Sequence, residues 1–240
     1  MGRGWAAKRL AASLLLMVPA ALLALASPFP PARAADGTAA VGAGDAALAW
    51  YFAEGYTGEG FREYLCVFNP GDLPATARVS FLFSEGPPLL FDLPVAPLSR
   101  STLDVNAATG RRGDVSMTVL SDRPVTAERP IYFTYRNKWS GCSNVVGSTA
   151  PSRRWSFAEG TTRHGFEEWL CLANPGKSPQ DDATVQVVYF YNDGREPLAK
   201  EYEVPGSSRI TVNVNEEAGR DVEVSMAVIS DKPVVAERPM

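Results

Sequence analysis

Two carboxylates recur in matched phrases of this sequence. Glu54 and Glu159 stand in "FAEG", and Glu128 and Glu237 stand in "AERP". Paired carboxylates about 5–9 Å apart are the machinery of glycoside hydrolases. The competing reading is structural: each glutamate accepts from backbone amides or pairs with Arg129 or Arg238 of the same phrase. Alternation along a strand puts Glu128 and Arg129 on opposite faces. No third catalytic group accompanies the pair, so a non-enzymatic chain is expected.

Other chemistry is sparse. His164 is the only histidine, and Glu59 occupies the matching place in the first copy. Neither a Ser/His/Asp triad nor a two-histidine metal site can be built. Asp181 and Asp182 are candidate calcium ligands, although adjacent loop acids are ordinarily just solvated. No cofactor is expected. Arg112-Gly113-Asp114 spells an integrin-recognised tripeptide, but the second copy reads "GRDV" there, so the match reads as chance. Trp50, Phe52, Phe61, Tyr64, Tyr132, Tyr135 and Trp139 could make a sugar-stacking platform. Trp50 and Phe52 share one strand face and recur as Trp155 and Phe157, which favours core packing.

Cys66 and Cys171 occupy equivalent places, and Cys142 follows the first copy. Export would favour a disulfide. Cys66–Cys142 is the preferred pairing, one bridge per full unit, and Cys142–Cys171 is the rival.

These residues are placed by an internal repeat. "WYFAEG" (50–55) returns as "WSFAEG" (155–160), and "GFREYLCVFNPG" (60–71) returns as "GFEEWLCLANPG" (165–176), both 105 positions on. "DVSMTVLSDRPVTAERP" (114–130) returns as "EVSMAVISDKPVVAERP" (223–239). Self-similarity at a fixed period marks tandem structural units. A period above a hundred residues suits whole domains, each with its own core.

Each copy reads as β. Val79, Phe81 and Phe83, and Val187, Tyr189 and Tyr191, recur with period two; so do Val115, Met117 and Val119, and Val224, Met226 and Val228. Leu103 and Val105 match Val212 and Val214 as a further strand. Asn69-Pro70-Gly71 and Asn174-Pro175-Gly176 predict turns with φ > 0 at glycine, and "NDG" at 192–194 predicts a hairpin. The expected class is all-β: two tandem immunoglobulin-like β-sandwiches, with small β-barrels as the alternative.

Residues 1–34 carry Arg3, Lys8 and Arg9, then an apolar run, then Ala32-Arg33-Ala34, the pattern of a secretory signal peptide. The expected division is a signal peptide at 1–34, a short linker at 35–49, repeat 1 with its linker at 50–149, and repeat 2 at 150–240. Met240 aligns with Ile131, so repeat 2 is expected to be cut short. Removing residues 1–34 takes the basic count from 23 to 19 against 27 acids. Such acidity argues against nucleic acid and against anionic membrane surfaces.

The phrases "FAEG", "LC…NPG", "LDVN"/"VNVN" and "AERP-x-YF" make residues 50–240 similar to a tandem β-sandwich repeat of secreted and surface proteins, largely from high-GC Gram-positive and related bacteria, a domain of unknown function. The resemblance implies an extracellular or wall-associated array and supplies no catalytic residues. The expected function is therefore a non-catalytic spacer or adhesive module. A polysaccharide-binding module is the alternative and a glycoside hydrolase the third reading. Expected partners are wall or extracellular polysaccharide or another surface protein. The repeat-motif residues to locate are Trp50, Phe52, Glu54, Asn69, Glu128, Arg129, Trp155, Phe157, Glu159, Asn174, Glu237 and Arg238.

Overall fold

The computed structural model describes residues 45–240, so the expected signal peptide at 1–34 lies outside the described residues. The strands of the first unit are β1 (Ala47–Phe52), β2 (Phe61–Asn69), β3 (Ala75–Leu82), β4 (Leu89–Val95), β5 (Ser99–Asp104), β6 (Ser116–Tyr135) and β7 (Trp139–Val146), with a short helix α1 (Val105–Thr109) between β5 and β6. The second unit has β8 (Ser152–Phe157), β9 (Trp169–Asn174), β10 (Ala183–Tyr191), β11 (Leu198–Val204), β12 (Ser208–Asn213), α2 (Val214–Glu217) and β13 (Val224–Glu237). The chain is all-β, built on two curled antiparallel sheets.

The two sheets have the same topology. Their orders are β4-β3-β6-β2-β5 and β11-β10-β13-β9-β12, with β1 also on β6 and β8 also on β13. In each, one long strand serves both layers. The first half of β6 lies between β3 and β1, with Val119 opposite Val79 and Trp50. Its second half lies between β2 and β7. The change of partner falls at the register shift around "SDRP" (121–124), and around "SDKP" (230–233) in β13. Proline suits such a break because it has no amide to give a ladder. Asp122 and Asp231 hold the bend by accepting from the Thr76 and Thr184 amides, each at 2.8 Å. The sandwich and barrel descriptions merge here, since the layers share a strand.

Each unit closes over its own core. Val79, Leu103 and Met117 are buried in the first and Val187, Val212 and Met226 in the second, as the period-two pattern predicts. Trp50 and Phe52 are buried, and Trp155 and Phe157 pack partly buried against the second core. The Trp50 and Trp155 indoles donate to the Val125 and Val234 carbonyls at 2.7 and 3.0 Å. A third, small cluster of Ala53, Cys171, Ala173 and Val235 lies where the units meet.

Three local expectations need correction. Val105 and Val214 open helices rather than continue strands, and the Asp104 carboxylate caps α1 by accepting from the Ala107 amide at 3.0 Å. Gly71 and Gly176 do not have positive φ, unlike Gly194 of the "NDG" turn at 83°. Proximity constrains both positions instead, more tightly at the second: a Cβ at Gly176 would fall 2.4 Å from Asp181 Cβ and 2.9 Å from Asn174 Oδ1, and one at Gly71 3.2 Å from Asn69 Oδ1, the two asparagine oxygens accepting from these glycines' own amides. The expected Cys66–Cys142 disulfide is not formed, nor is the rival Cys142–Cys171. Cys66 sits opposite Glu128 on β6, whereas Cys142 sits opposite Tyr132, four residues further along and on the other side of β6. Strand spacing of about 4.8 Å and rise of about 3.3 Å per residue put such positions far beyond disulfide reach. The Cys66 thiol faces the Thr102 hydroxyl at 3.7 Å.

Candidate functional site

The recurring charged residues converge at the joint between the units. Strand alternation turns Arg129 inward, beside Ala127 and Ile131, and Glu128 outward. Arg129 is fully buried. Its Nη2 pairs with Glu54 Oε2, and its Nη1 donates to the Glu54 carbonyl and, at 2.7 Å, to Glu237 Oε2 of the second unit. Glu237 Oε2 also accepts from the Glu54 amide at 2.7 Å. Burial alone would lower the Arg129 pKa, but Glu237, Glu54 and Glu63 outweigh it and raise it.

Glu63 lies beneath this pair, fully buried. Its Oε2 accepts from the Tyr56 amide at 2.9 Å, and its Oε1 has no hydrogen-bond partner. Burial pushes its carboxyl up to about 8, against the pull of Arg129. Glu54 is raised as well, first by burial. Asn106 fixes the strand that carries Glu63: its Oδ1 accepts from the Glu63 amide at 2.9 Å and its Nδ2 donates to the Thr57 and Phe61 carbonyls. Asn215 does the same for Glu168. Neither glutamate nor either asparagine was singled out by motif reading. The available signal was their return in "GF-x-E" and "VN" in both copies.

The second unit supplies the other half of the joint. Arg209 is fully buried; Nη1 stands 3.0 Å from Asp114 Oδ2 and Nη2 donates to the Ala53 carbonyl at 3.3 Å. Thr211 donates to Asp114 at 2.6 Å, and Ser208 to the Phe83 carbonyl at 3.0 Å. Asp114 of the Arg-Gly-Asp tripeptide is therefore engaged in the joint. Cys171 is buried under Ala53, and burial pushes its thiol up to about 12. At the rim, Tyr135 donates to Glu167 and Arg136 pairs with the same carboxylate at 2.6 Å.

The equivalent group in the second unit is open. Arg238 Nη2 meets Glu159 Oε2 at 3.0 Å, and Arg238 Nε lies 3.9 Å from the buried Glu168. Arg238 Nη1 has no hydrogen-bond partner. Burial lifts the Glu168 carboxyl to about 7.

A glycosidase pair does not assemble from Glu54 and Glu128. Glu128 points to the opposite side of β6 and accepts from Asn144 at 2.9 Å. An open groove of about 420 Å³ beside α1 is lined by Thr57, Phe61, Asn106 and Arg111 and contains neither carboxylate. Asp181 and Asp182 accept from the Lys177 and Gly206 amides at 2.9 and 2.8 Å, and His164 lies exposed. Among the described residues no three His, Cys, Asp or Glu side chains gather as a metal site. The aromatic set divides between faces. Phe61 stacks near Phe133 and Tyr135 near Trp139 on one, while Tyr64 meets Tyr132 edge-on at 6.1 Å on the other.

No family model and no curated protein matches the chain. Among solved structures, the crystal structure of Thermotoga maritima 1070 aligns with TM-score 0.41 and 24% identity over 43% of this chain and 94% of that one. The Anabaena sensory rhodopsin transducer aligns with TM-score 0.33 and 25% identity over 37% of this chain and 96% of that one.

Proposed function

We propose that the chain is a non-catalytic, exported or wall-associated spacer whose two units are locked into one stiff rod segment. The observation that carries this reading is the joint. Glu54 and Glu237, one glutamate of each recurring phrase, are both bound to the buried Arg129, and Glu237 comes from the neighbouring unit, while Glu128 is turned away to Asn144. Groups committed in this way hold position rather than turn over substrate. The motif residues Glu54, Arg129 and Glu237 thereby acquire a mechanical role. A buried charge pair that loses one partner costs about 3–5 kcal/mol, so the joint resists hingeing. The acidic balance without residues 1–34 and the signal-peptide pattern support an extracellular setting.

Small-angle scattering on the monomeric chain tests this. One rigid body should fit the profile, and Arg129→Met should lengthen the maximum dimension as the units swing apart. A parent profile that fits only an ensemble of hinged units would overturn the spacer reading.

A further inference from the structure

The faces that form the joint each occur twice in the chain, and the described residues cover only one of each. The end of the first unit, with Ala53, Glu54, Asp114 and Arg129, covers the sheet face of the second unit that carries Cys171, Ala173, Arg209 and Glu237. The same end on the second unit, with Ala158, Glu159, Glu223 and Arg238, is uncovered: Ala53 is fully buried, whereas Ala158 is exposed and the Glu159 side chain is 62% exposed. The same face on the first unit is also left uncovered by the described residues. Phe68, in the place of Ala173, is 43% exposed, and Arg100, in the place of the buried Arg209, is exposed.

We propose that the open end of the second unit docks on the open face of the first unit of another copy of this chain, so that copies join head to tail. The chemistry of the existing joint is retained in this contact. Arg129 Nη1 takes Glu237 within the chain; the matching Arg238 Nη1 is buried without a hydrogen-bond partner, and the matching carboxylate is Glu128 of the second copy. Arg209 and Thr211 bind Asp114; their counterparts Arg100 and Thr102 would meet Glu223, again a carboxylate. The apolar patch keeps its volume by exchange. Tyr51 packs against the joint cluster that includes Ala173, while the corresponding positions hold Ser156 and Phe68, so the large and small residues change sides. Glu128 would leave the half-buried Asn144, and Glu223 would leave Arg163 and Thr161. The Arg136–Glu167 contact has no counterpart, because Arg62 stands in the place of Glu167. The contact between copies is therefore weaker than the joint within a chain. Its two surfaces differ, so it is heterologous and propagates rather than closing.

This association goes beyond the spacer reading and can fail while a stiff joint stands. Sedimentation velocity over a concentration series decides it. The weight-average mass should rise about twofold or more with concentration. Glu128→Arg and Phe68→Lys lie outside the intrachain joint; each should keep the chain folded by circular dichroism and hold it monomeric. Arg238→Glu should also be monomeric, and mixing it with Glu128→Arg should restore at least a 1:1 complex, because the intact Arg238 of one then meets the intact Glu128 of the other. A parent chain that stays monomeric up to its solubility limit would overturn the proposal. So would association indifferent to Glu128→Arg and Phe68→Lys, or a monomer whose Phe68 face instead binds wall polysaccharide.

Discussion

Arg129 and Glu237 meet at 2.7 Å, and they come from the same four-residue phrase in two different copies. Within each "AERP" the glutamate and arginine are strand neighbours, so they point to opposite sides of the sheet. Arg129 closes the end of its own unit, whereas Glu237 leaves its unit to reach the preceding one. The arginine of the first phrase and the glutamate of the second thus share one contact across the joint, while Glu128 and Arg238 stay with Asn144 and Glu159 of their own units.

Arg129→Met should destabilise the chain by about 3–5 kcal/mol, since Glu54 and Glu237, only 21% and 20% exposed, would be left without their cation. Arg238→Met should cost less. Its Glu159 partner is 62% exposed, and pairs open to solvent contribute about 0–1 kcal/mol. Its other neighbour, the buried Glu168, is only 3.9 Å away at the nearest atom and can take up a proton, its carboxyl already being raised to about 7. Urea denaturation of both variants measures the difference, and an equal loss would contradict the asymmetry.

Stability should fall as pH rises from about 4.5 to about 8. Glu63 holds its proton more tightly in the folded chain, with a carboxyl moved from 4.5 to about 8, so its contribution is complete below 4.5 and is lost through 8. One such proton sets a slope of at most about 1.4 kcal/mol per pH unit. Glu168, raised to about 7, acts in the same direction. Asp182, lowered by the Gly206 amide, has the opposite sign and acts only at lower pH. Glu63→Gln should flatten the profile and be more stable than the parent at pH 9, as read from denaturation midpoints across that range.

The all-β class was legible because Val79, Met117 and their counterparts repeat with period two, and burial of one face demands that period. The joint was not legible, because equivalent residues have opposite environments. Arg209 is buried and Arg100 exposed; Cys171 is buried and Cys66 is not. A repeat shows what the copies share and hides what docking does to one of them. Glu63 was passed over because a charged residue in a strand reads as surface, although a buried arginine beside it reverses that expectation. The Cys66–Cys142 pairing failed on register. Which residue of β7 faces β2 across β6 depends on where the hairpin after Tyr135 turns, and that is a matter of loop conformation rather than spacing.

Cys171 should react slowly with iodoacetamide at neutral pH, and Cys66 faster. Cys171 is covered by Ala53, and its thiol is pushed up to about 12, so almost no thiolate is present. Arg129→Met should accelerate Cys171 by opening the joint while leaving Cys66 unchanged. Mass mapping of labelled peptides over time gives both rates, and parity of Cys66 and Cys171 in the folded parent would mean that the joint is not closed in solution.

Gly55→Ala should be among the most damaging single-methyl additions in the first unit. The "FAEG" glycine lies where the chain passes over the buried glutamate. A Cβ at Gly55 would fall 2.3 Å from the Val115 carbonyl and 2.7 Å from Glu63 Oε1, distances at which something must move. Val115 cannot withdraw freely, because its amide donates to the Gly55 carbonyl at 3.0 Å. Glu63 cannot withdraw either, since its own amide is held by Asn106 and its side chain is enclosed. Overpacking of this kind costs about 1–3 kcal/mol, and more where backbone must shift. Gly160 repeats the geometry, with a Cβ 2.5 Å from both Glu168 Oε1 and the Val224 carbonyl, so Gly160→Ala should be damaging too. A control is Gly194→Asn, whose glycine has φ 83° but open space, and asparagine tolerates that conformation. Thermal melts should show large losses for the two "AEG" alanines and a small one for the control. A Gly55→Ala midpoint close to the parent would mean that Glu63 does not lie against the chain at this point, and the buried carboxylate would have to be placed elsewhere.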